Sequence, residues 1–350
     1  MSDVSSDASM IGYLKRIATR NKWVVIAYAA LSGVRTRRRF SGGNIASSGG
    51  SSHSHLTLEA SVAYIEHVFD EYVKFGRLHK SDIEGRTVLE LGVGDNIGVG
   101  LRFLACGARQ YTALDRFYSV RDAEAERRIY LALRERLAAD EIARFDQALN
   151  LHDGIHADEA RIRLVYGHGA EEADRVFAGE KFDFIISRAV IHEVYAIDRA
   201  FAAMDALLAP GGMLLHKIDL RDYGMLSAWG FHPREYLTIP RWIYRQMVED
   251  CGKPNRKLID YYRRKMQELG YDAELFITCV LDPSGYRGVQ EEFDPFRSEI
   301  RFGSEYFEVH RKLIDRIRPR LGPEFRGLSE QDLLAASVFL AARKPDRVLR

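Results

Sequence analysis

The sequence predicts an α/β fold: a seven-stranded, mostly parallel sheet with helices on both faces, preceded by a helical leader and extended by a cap. Three observations predict it. From Thr87 onward short apolar runs alternate with helical stretches, the pattern of a parallel sheet crossed over by helices. The first run passes straight into a glycine-rich turn, Glu90-Leu-Gly92-Val-Gly94-Asp95-Asn96-Ile97-Gly98. The second run closes on an acid, Asp115, about 20 residues beyond that turn.

The elements follow in order. Residues 1–40 form a basic, partly apolar leader: Met10, Ile11, Leu14 and Ile17 recur near helical spacing, and Trp23 to Leu31 is apolar all round. Residues 41–52, nearly all Ser and Gly, read as a flexible connector. The body is 53–350, with a cofactor half over 81–220 and a cap with closing strands over 221–350. Thr87–Leu91 is a buried strand, Ile97–Cys106 a helix ended by Gly107, and Tyr111–Leu114 the second strand. One long charged helix is expected over Asp122–Gln147. Strands follow at Arg161–Tyr166, Phe182–Ser187 and Met213–Lys217. The helix Ile197–Leu208 stops at Ala209-Pro-Gly-Gly212, because Pro cannot continue a hydrogen-bond ladder and Gly turns the chain. Leu258–Leu269 and Tyr306–Arg318 read as helices, Glu274–Val280 and Leu334–Ala342 as strands.

Composition sets outer bounds. The chain has 350 residues, 46% apolar and 29% charged, enough for a real core. Lys plus Arg number 51 against 50 Asp plus Glu, which argues against a nucleic-acid partner. Cys106, Cys251 and Cys279 form no CxxC pair and read as reduced thiols of a cytoplasmic protein. No apolar run approaches the roughly 20 residues that span a bilayer.

In the glycine turn, Gly lets backbone approach a ligand and the following helix offers free N–H groups. A carboxylate at Asp115 can accept from both hydroxyls of a ribose. A dinucleotide fingerprint would need a third glycine where Ile97 stands. Glu90 would repel a pyrophosphate but attract the ammonium of an amino-acid-bearing nucleoside. A nicotinamide-dependent oxidoreductase therefore remains the weaker alternative.

Together Glu90-x-Gly92-x-Gly94, Asp115, the strand Phe182-Asp-Phe-Ile-Ile-Ser187 and Leu208-Ala-Pro-Gly-Gly212 resemble the successive motifs of class I S-adenosylmethionine (SAM)-dependent methyltransferases, with a Rossmann-like sheet. The stretches Gly94–Gly98, Leu114–Phe117 and His216–Asp222 are similar to methyltransferases encoded with bacterial polysaccharide genes. The resemblance implies that SAM is the cofactor, that Glu90 holds its ammonium, that Gly92 and Gly94 line its methionine and ribose, and that Asp115 binds the ribose. It also puts Asn96 and Ser187 in the cofactor site and Arg116 and Phe117 beside the adenine. Asn96 stands where many members have a glycine and is expected to tolerate left-handed backbone. The run Gly167-His-Gly-Ala-Glu171-Glu172 leaves the adenine-bonding residue open.

Methyl transfer to a hydroxyl needs alignment and a base. Beyond strands four and five lie Ser187-Arg-Ala-Val-Ile-His192-Glu193 and His216-Lys-Ile-Asp219-Leu-Arg-Asp222. His192 or His216 is the candidate base, with Glu193 or Asp219 orienting it. No metal is expected; His216, Asp219 and Asp222, or His53-Ser-His55, come nearest to a ligand set. Tyr223–Met247 is dense in aromatics with Arg234, Arg241 and Arg245 interleaved, which suits a cap over a sugar or other small acceptor. The stretch 288–331 is expected to add a helix over the same face. The expected activity is transfer of a methyl group to a hydroxyl of a sugar or glycan precursor, with a non-catalytic SAM-fold scaffold as another reading. The basic leader suits peripheral contact of residues 1–40 with the inner membrane face. A homo-oligomer is left open by the sequence.

Overall fold

The structure is a computed structural model and describes residues 21–47, 53–281, 296–297 and 304–346. The first half of the leader, the last part of the connector and most of 282–303 lie outside the described residues.

A sheet of seven principal strands forms the centre. They are β1 (Thr87–Leu91), β2 (Gln110–Asp115), β3 (Ile162–Tyr166), β4 (Phe182–Arg188), β5 (Leu208–Asp219), β6 (Asp272–Val280) and β7 (Ala335–Arg343). The order is β6-β7-β5-β4-β1-β2-β3, with the two-residue strand Phe296–Arg297 paired antiparallel to β6 at one edge. The pairs β1–β2, β1–β4, β2–β3 and β4–β5 are parallel. Strand β7 runs against β5: the Leu220 N–H donates to the Ala336 carbonyl at 2.8 Å, and the Lys344 N–H to the Gly212 carbonyl at 2.9 Å. All five residues of β1 are buried, as in a strand covered on both faces, and Glu90 is the one acid among them. The chain leaves β1 on one side towards β2 and later returns on the other as β4. Ligands settle in the crevice beyond the carboxyl ends of the strands at such a switch point.

The helices are α1 (Lys22–Ser41), α2 (Leu58–Gly76), α3 (Gly98–Ala105), α4 (Ala123–Arg134), α5 (Ala139–Ala148), α6 (Ile197–Leu207), α7 (Arg241–Val248), α8 (Ile259–Leu269) and α9 (Ser304–Ile317), with shorter turns between. Helices α2, α3, α4 and α5 pack on one another, while α6 packs on the turn and short helix at 170–176. The aromatic core includes Phe103, which meets Phe69 edge-on at 5.1 Å, and Phe339, which lies 4.6 Å from Phe75.

Two compact units emerge. One comprises Asn44–Ile218, Lys265–Glu274 and Phe339–Arg350; the other comprises Met1–Gly43, Asp219–Arg264 and Leu275–Val338. The first therefore takes in α2, which the expected cofactor half of 81–220 left out. In the second, α1 lies against α7. A Cβ on Gly33 would stand 2.8 Å from the Gln246 carbonyl oxygen, so only a glycine allows this approach.

Three expectations are corrected. The connector is not free throughout: Ala46–Ser47 pairs in parallel with Tyr118–Ser119. The charged stretch 122–147 is two helices, because the chain tightens after Arg134, buries Leu137 and restarts with Ala138 ahead of α5. The aromatic segment after β5 is divided, with Tyr223, Trp229 and Trp242 exposed and its middle part in the core. Tyr236, Tyr244 and Arg234 are fully buried, and Arg234 donates to the carbonyls of Leu333 (2.8 Å), Ala335 (2.5 Å) and Leu220 and to the Tyr236 hydroxyl (2.9 Å). A buried guanidinium bound to backbone in this way braces the unit and has little left for a substrate.

Candidate active site

The glycine turn leaves the carboxyl end of β1 with Gly92 at φ +74° and Gly94 at φ +64°. A side chain at Gly92 would be excluded twice over, by the positive φ and by Val190 Cγ2, into which its Cβ would run. Asp115, at the end of β2, accepts from the Gly94 N–H at 3.1 Å and the Phe117 N–H at 3.0 Å. A carboxylate has about four acceptor positions, so two remain. Asn96 does not adopt left-handed backbone, so the tolerance expected of it is not called on. Its Oδ1 accepts from the Gly98 N–H at 2.7 Å, satisfying one orphan donor at the start of α3. Its buried Nδ2 has no hydrogen-bond partner among the described residues.

Beneath the turn lies Glu90, buried and accepting from the Tyr111 hydroxyl at 2.5 Å. Burial pushes its carboxyl up to about 7; the nearby Asp115 charge acts the same way, while the Tyr111 bond opposes it. Arg121 ties the turn to its surroundings, donating to the Gly94 carbonyl at 3.2 Å, the Tyr166 hydroxyl at 2.9 Å and Glu126 at 2.9 Å. On the other flank the N–H groups of His53 and Ser54 both donate to Asp95 Oδ2 at 3.1 Å. The His53 ring stands edge-on to Tyr64 at 5.4 Å.

Arg116 pairs with Glu171, which brings the residue after Asp115 and the loop after β3 to one edge. Phe117 is joined to it through the Asp115 turn.

At the ends of the middle strands the geometry separates the remaining candidates. Ser187 is buried, and its hydroxyl shares a 2.8 Å hydrogen bond with His216 Nδ1. Burial pushes His216 down to about 3. An imidazole so hard to protonate is a weak base near neutrality. His192 and Glu193 occupy the turn after β4, with Nε2 3.9 Å from Oε1; His192 is buried and the Glu193 side chain is one-third exposed. Asp219 accepts from Arg221 Nε at 3.0 Å and Nη2 at 2.5 Å. Asp222 caps its own turn, accepting from the N–H groups of Gly224, Leu226 and Ser227. Among the described residues no group of three His, Cys, Asp or Glu side chains could hold a metal ion.

A cluster absent from the sequence reading stands beside the turn. Glu71 of α2 accepts from Lys217 Nζ at 2.8 Å and from Arg188, whose guanidinium lies 5.3 Å from the Tyr64 ring centroid. Burial opposes the Glu71 charge, yet the two cations hold its carboxyl below the usual range.

A search of curated proteins finds no match. Among solved structures, the chain is similar to a phosphoethanolamine N-methyltransferase 2 of Haemonchus contortus bound to phosphomonomethylethanolamine and S-adenosylhomocysteine (18% identity, 83% of this chain and 58% of that one, TM-score 0.38). It is also similar to an S-adenosylmethionine-dependent methyltransferase of Mesorhizobium loti (15% identity, 79% and 100%, TM-score 0.38). A third is an O-methyltransferase family protein of Burkholderia thailandensis (13% identity, 92% and 72%, TM-score 0.36). The chain spans 58% of the length of the first of these. A family model described as a methyltransferase domain matches residues 64–274. The chain belongs to this methyltransferase-domain family.

Proposed function

We propose that the chain transfers the methyl group of SAM to a hydroxyl of a small sugar or glycan precursor. The observation that carries the cofactor half of this reading is the buried Glu90, raised to about 7 beneath the Gly92–Gly94 turn. An acid kept near half-charged in a dry place suits a cationic ligand, whose arrival favours the ionised form. In this reading Glu90 holds the ammonium, Asp115 uses its two remaining acceptor positions on the ribose, and Asn96 Nδ2 gains an acceptor from the cofactor. Arg116 and Phe117 border the adenine, and Gly92 and Gly94 let the backbone come close. When bound, SAM supplies an electrophilic methyl on a sulfonium, so the chain's part is to align the acceptor and remove its proton. We assign the proton to the His192–Glu193 turn. The hydroxyl acceptor rests on the resemblance of Gly94–Gly98, Leu114–Phe117 and His216–Asp222 to methyltransferases of polysaccharide genes.

Calorimetry with SAM and its demethylated product, followed by transfer of labelled methyl to a panel of sugars, tests the two halves separately. His192→Ala is expected to keep cofactor binding and lose turnover by roughly 100-fold; unchanged turnover would remove the base assignment. Binding without transfer to any acceptor would favour the scaffold reading.

We also propose that α1 rests on an anionic membrane surface. No helix among the described residues is long and apolar enough to cross a bilayer. On α1, however, Val24, Tyr28 and Leu31 are exposed at helical spacing, followed by exposed Arg35 and Arg38, and α1 contains no acid. Apolar and basic groups on one outer face suit the lipid boundary. Flotation with phosphatidylglycerol vesicles is expected to retain the full chain and to fail for Tyr28→Glu/Leu31→Glu. Equal flotation of both proteins removes this contact.

A further inference from the structure

The Glu71 cluster has a charge surplus in a telling place. Arg188 ends β4, and Lys217 is its direct partner in the neighbouring register of β5. Because β1, β4 and β5 are parallel, both cations stand at the edge of the sheet from which the Gly92 turn departs. The link to that turn is physical. After Arg188 the chain bends through Ala189, held at φ +56°, whose N–H donates to the Lys217 carbonyl at 2.9 Å. It then sets Val190 against Gly92 so closely that no Cβ would fit between them. A left-handed alanine is strained, and such strain collects where a site must be held in shape.

Two cations share one carboxylate, which leaves one positive charge uncompensated. An arginine brings five N–H donors and a lysine three. One from each goes to Glu71, and among the described residues neither cation has a second carboxylate partner. The Tyr64 ring covers the guanidinium face, leaving its in-plane edge for a ligand. Both side chains keep some exposure, 21% for Arg188 and 14% for Lys217, and so are reachable.

We propose that Arg188 and Lys217 recognise an anionic group of the methyl acceptor, a carboxylate or a phosphate, so that the acceptor is an acidic sugar in preference to a neutral one. Glu71 acts as a positioning residue that holds the two cations side by side and limits their surplus to one charge. The inference rests on the methyl-transfer reading of this site and narrows its acceptor.

The test titrates glucose, glucuronate, glucose 1-phosphate and inorganic phosphate onto the full chain by calorimetry, with S-adenosylhomocysteine present. Glucuronate or glucose 1-phosphate is expected to bind at least about 10-fold more tightly than glucose, as one charge-assisted hydrogen bond provides. Whichever is tighter identifies the anion as carboxylate or phosphate, and inorganic phosphate should compete. Lys217→Met should close the gap between acidic and neutral sugar, while Glu71→Gln should widen it. Heat of S-adenosylhomocysteine binding, measured first on each variant, reports whether the protein is folded and whether the cofactor reading stands. If wild type binds glucose and both acidic sugars alike, the proposal fails although the cofactor binds. It fails equally if Lys217→Met keeps the full preference, or if the variants lose only stability, as a plain ion-pair network would.

Discussion

At the scale of single residues the site is governed by how burial sets charge. Glu90 titrates near 7 in the free protein, whereas a bound ammonium would keep it ionised. Binding must then expel a proton whenever the pH lies below that value. SAM affinity is expected to be about 10-fold weaker at pH 6 than at pH 8, and Glu90→Gln should flatten the profile while weakening binding throughout. Calorimetry in buffers of different ionisation heat would detect the proton directly; a pH-independent affinity would detach Glu90 from the cofactor. Gly92 makes a second case. Gly92→Ala forces a Cβ against Val190 and strains a backbone at φ +74°, for a loss of roughly 2–4 kcal/mol in urea unfolding. Pairing it with Val190→Ala should recover the contact part and leave the backbone part. Neither residue was hard to find, because a glycine turn after a strand and an acid ahead of it are local patterns. Glu71 was not legible, standing 117 residues from Arg188 and 146 from Lys217. No local spacing carries such a contact, and only the strand register creates it.

At the scale of elements, what could be read followed the same division between local and distant. Strands β1 to β4 announce themselves as apolar runs bounded by glycine or by an acid and are legible to within a residue, whereas β5 begins at Leu208, ahead of the expected Met213, because the Ala209–Gly212 stretch read as a helix stop joins the strand. The break between α4 and α5 was not, for the stretch 135–138 holds neither glycine nor proline. The chain bends there to bury Leu137 and Phe145, a tertiary gain that periodicity cannot register. The aromatic segment divides for a related reason: Tyr and Arg line binding sites and also fill cores, and only tertiary partners separate buried Tyr236, Tyr244 and Arg234 from exposed Tyr223, Trp229 and Trp242. Helix α1 offers a direct check on packing. Gly33 lets it approach the backbone of α7, and Arg37 adds a 2.9 Å bond to the Glu249 carbonyl. Gly33→Val should separate the two helices at a cost of roughly 1–3 kcal/mol, seen as faster limited proteolysis near residue 42. An unchanged cleavage rate would mean that the contact contributes little.

At the scale of the whole molecule the buried titratable groups act against one another. Glu90 binds its proton more tightly folded than unfolded, about 7 against 4.5, so the stability it gives is present below 4.5 and lost as pH rises through 7. His216 does the reverse, falling from 6.5 to about 3, so its burial costs nothing above 6.5 and progressively more as the pH falls towards 3. Between pH 4.5 and 6.5 the unfolded chain carries a proton on the histidine and the folded chain carries one on the glutamate. The proton counts of this pair match, and its contribution to stability has no slope with pH. Removing either partner exposes the other. Glu90→Gln should lose stability towards acid by about 1.4 kcal/mol per pH unit across that window, and His216→Asn should gain by the same slope. The double variant should return to a flat profile. Urea midpoints at pH 4.8, 5.5 and 6.2 decide the matter, since equal slopes in wild type and both single variants would show that these two buried groups do not exchange one proton between the folded and unfolded chain.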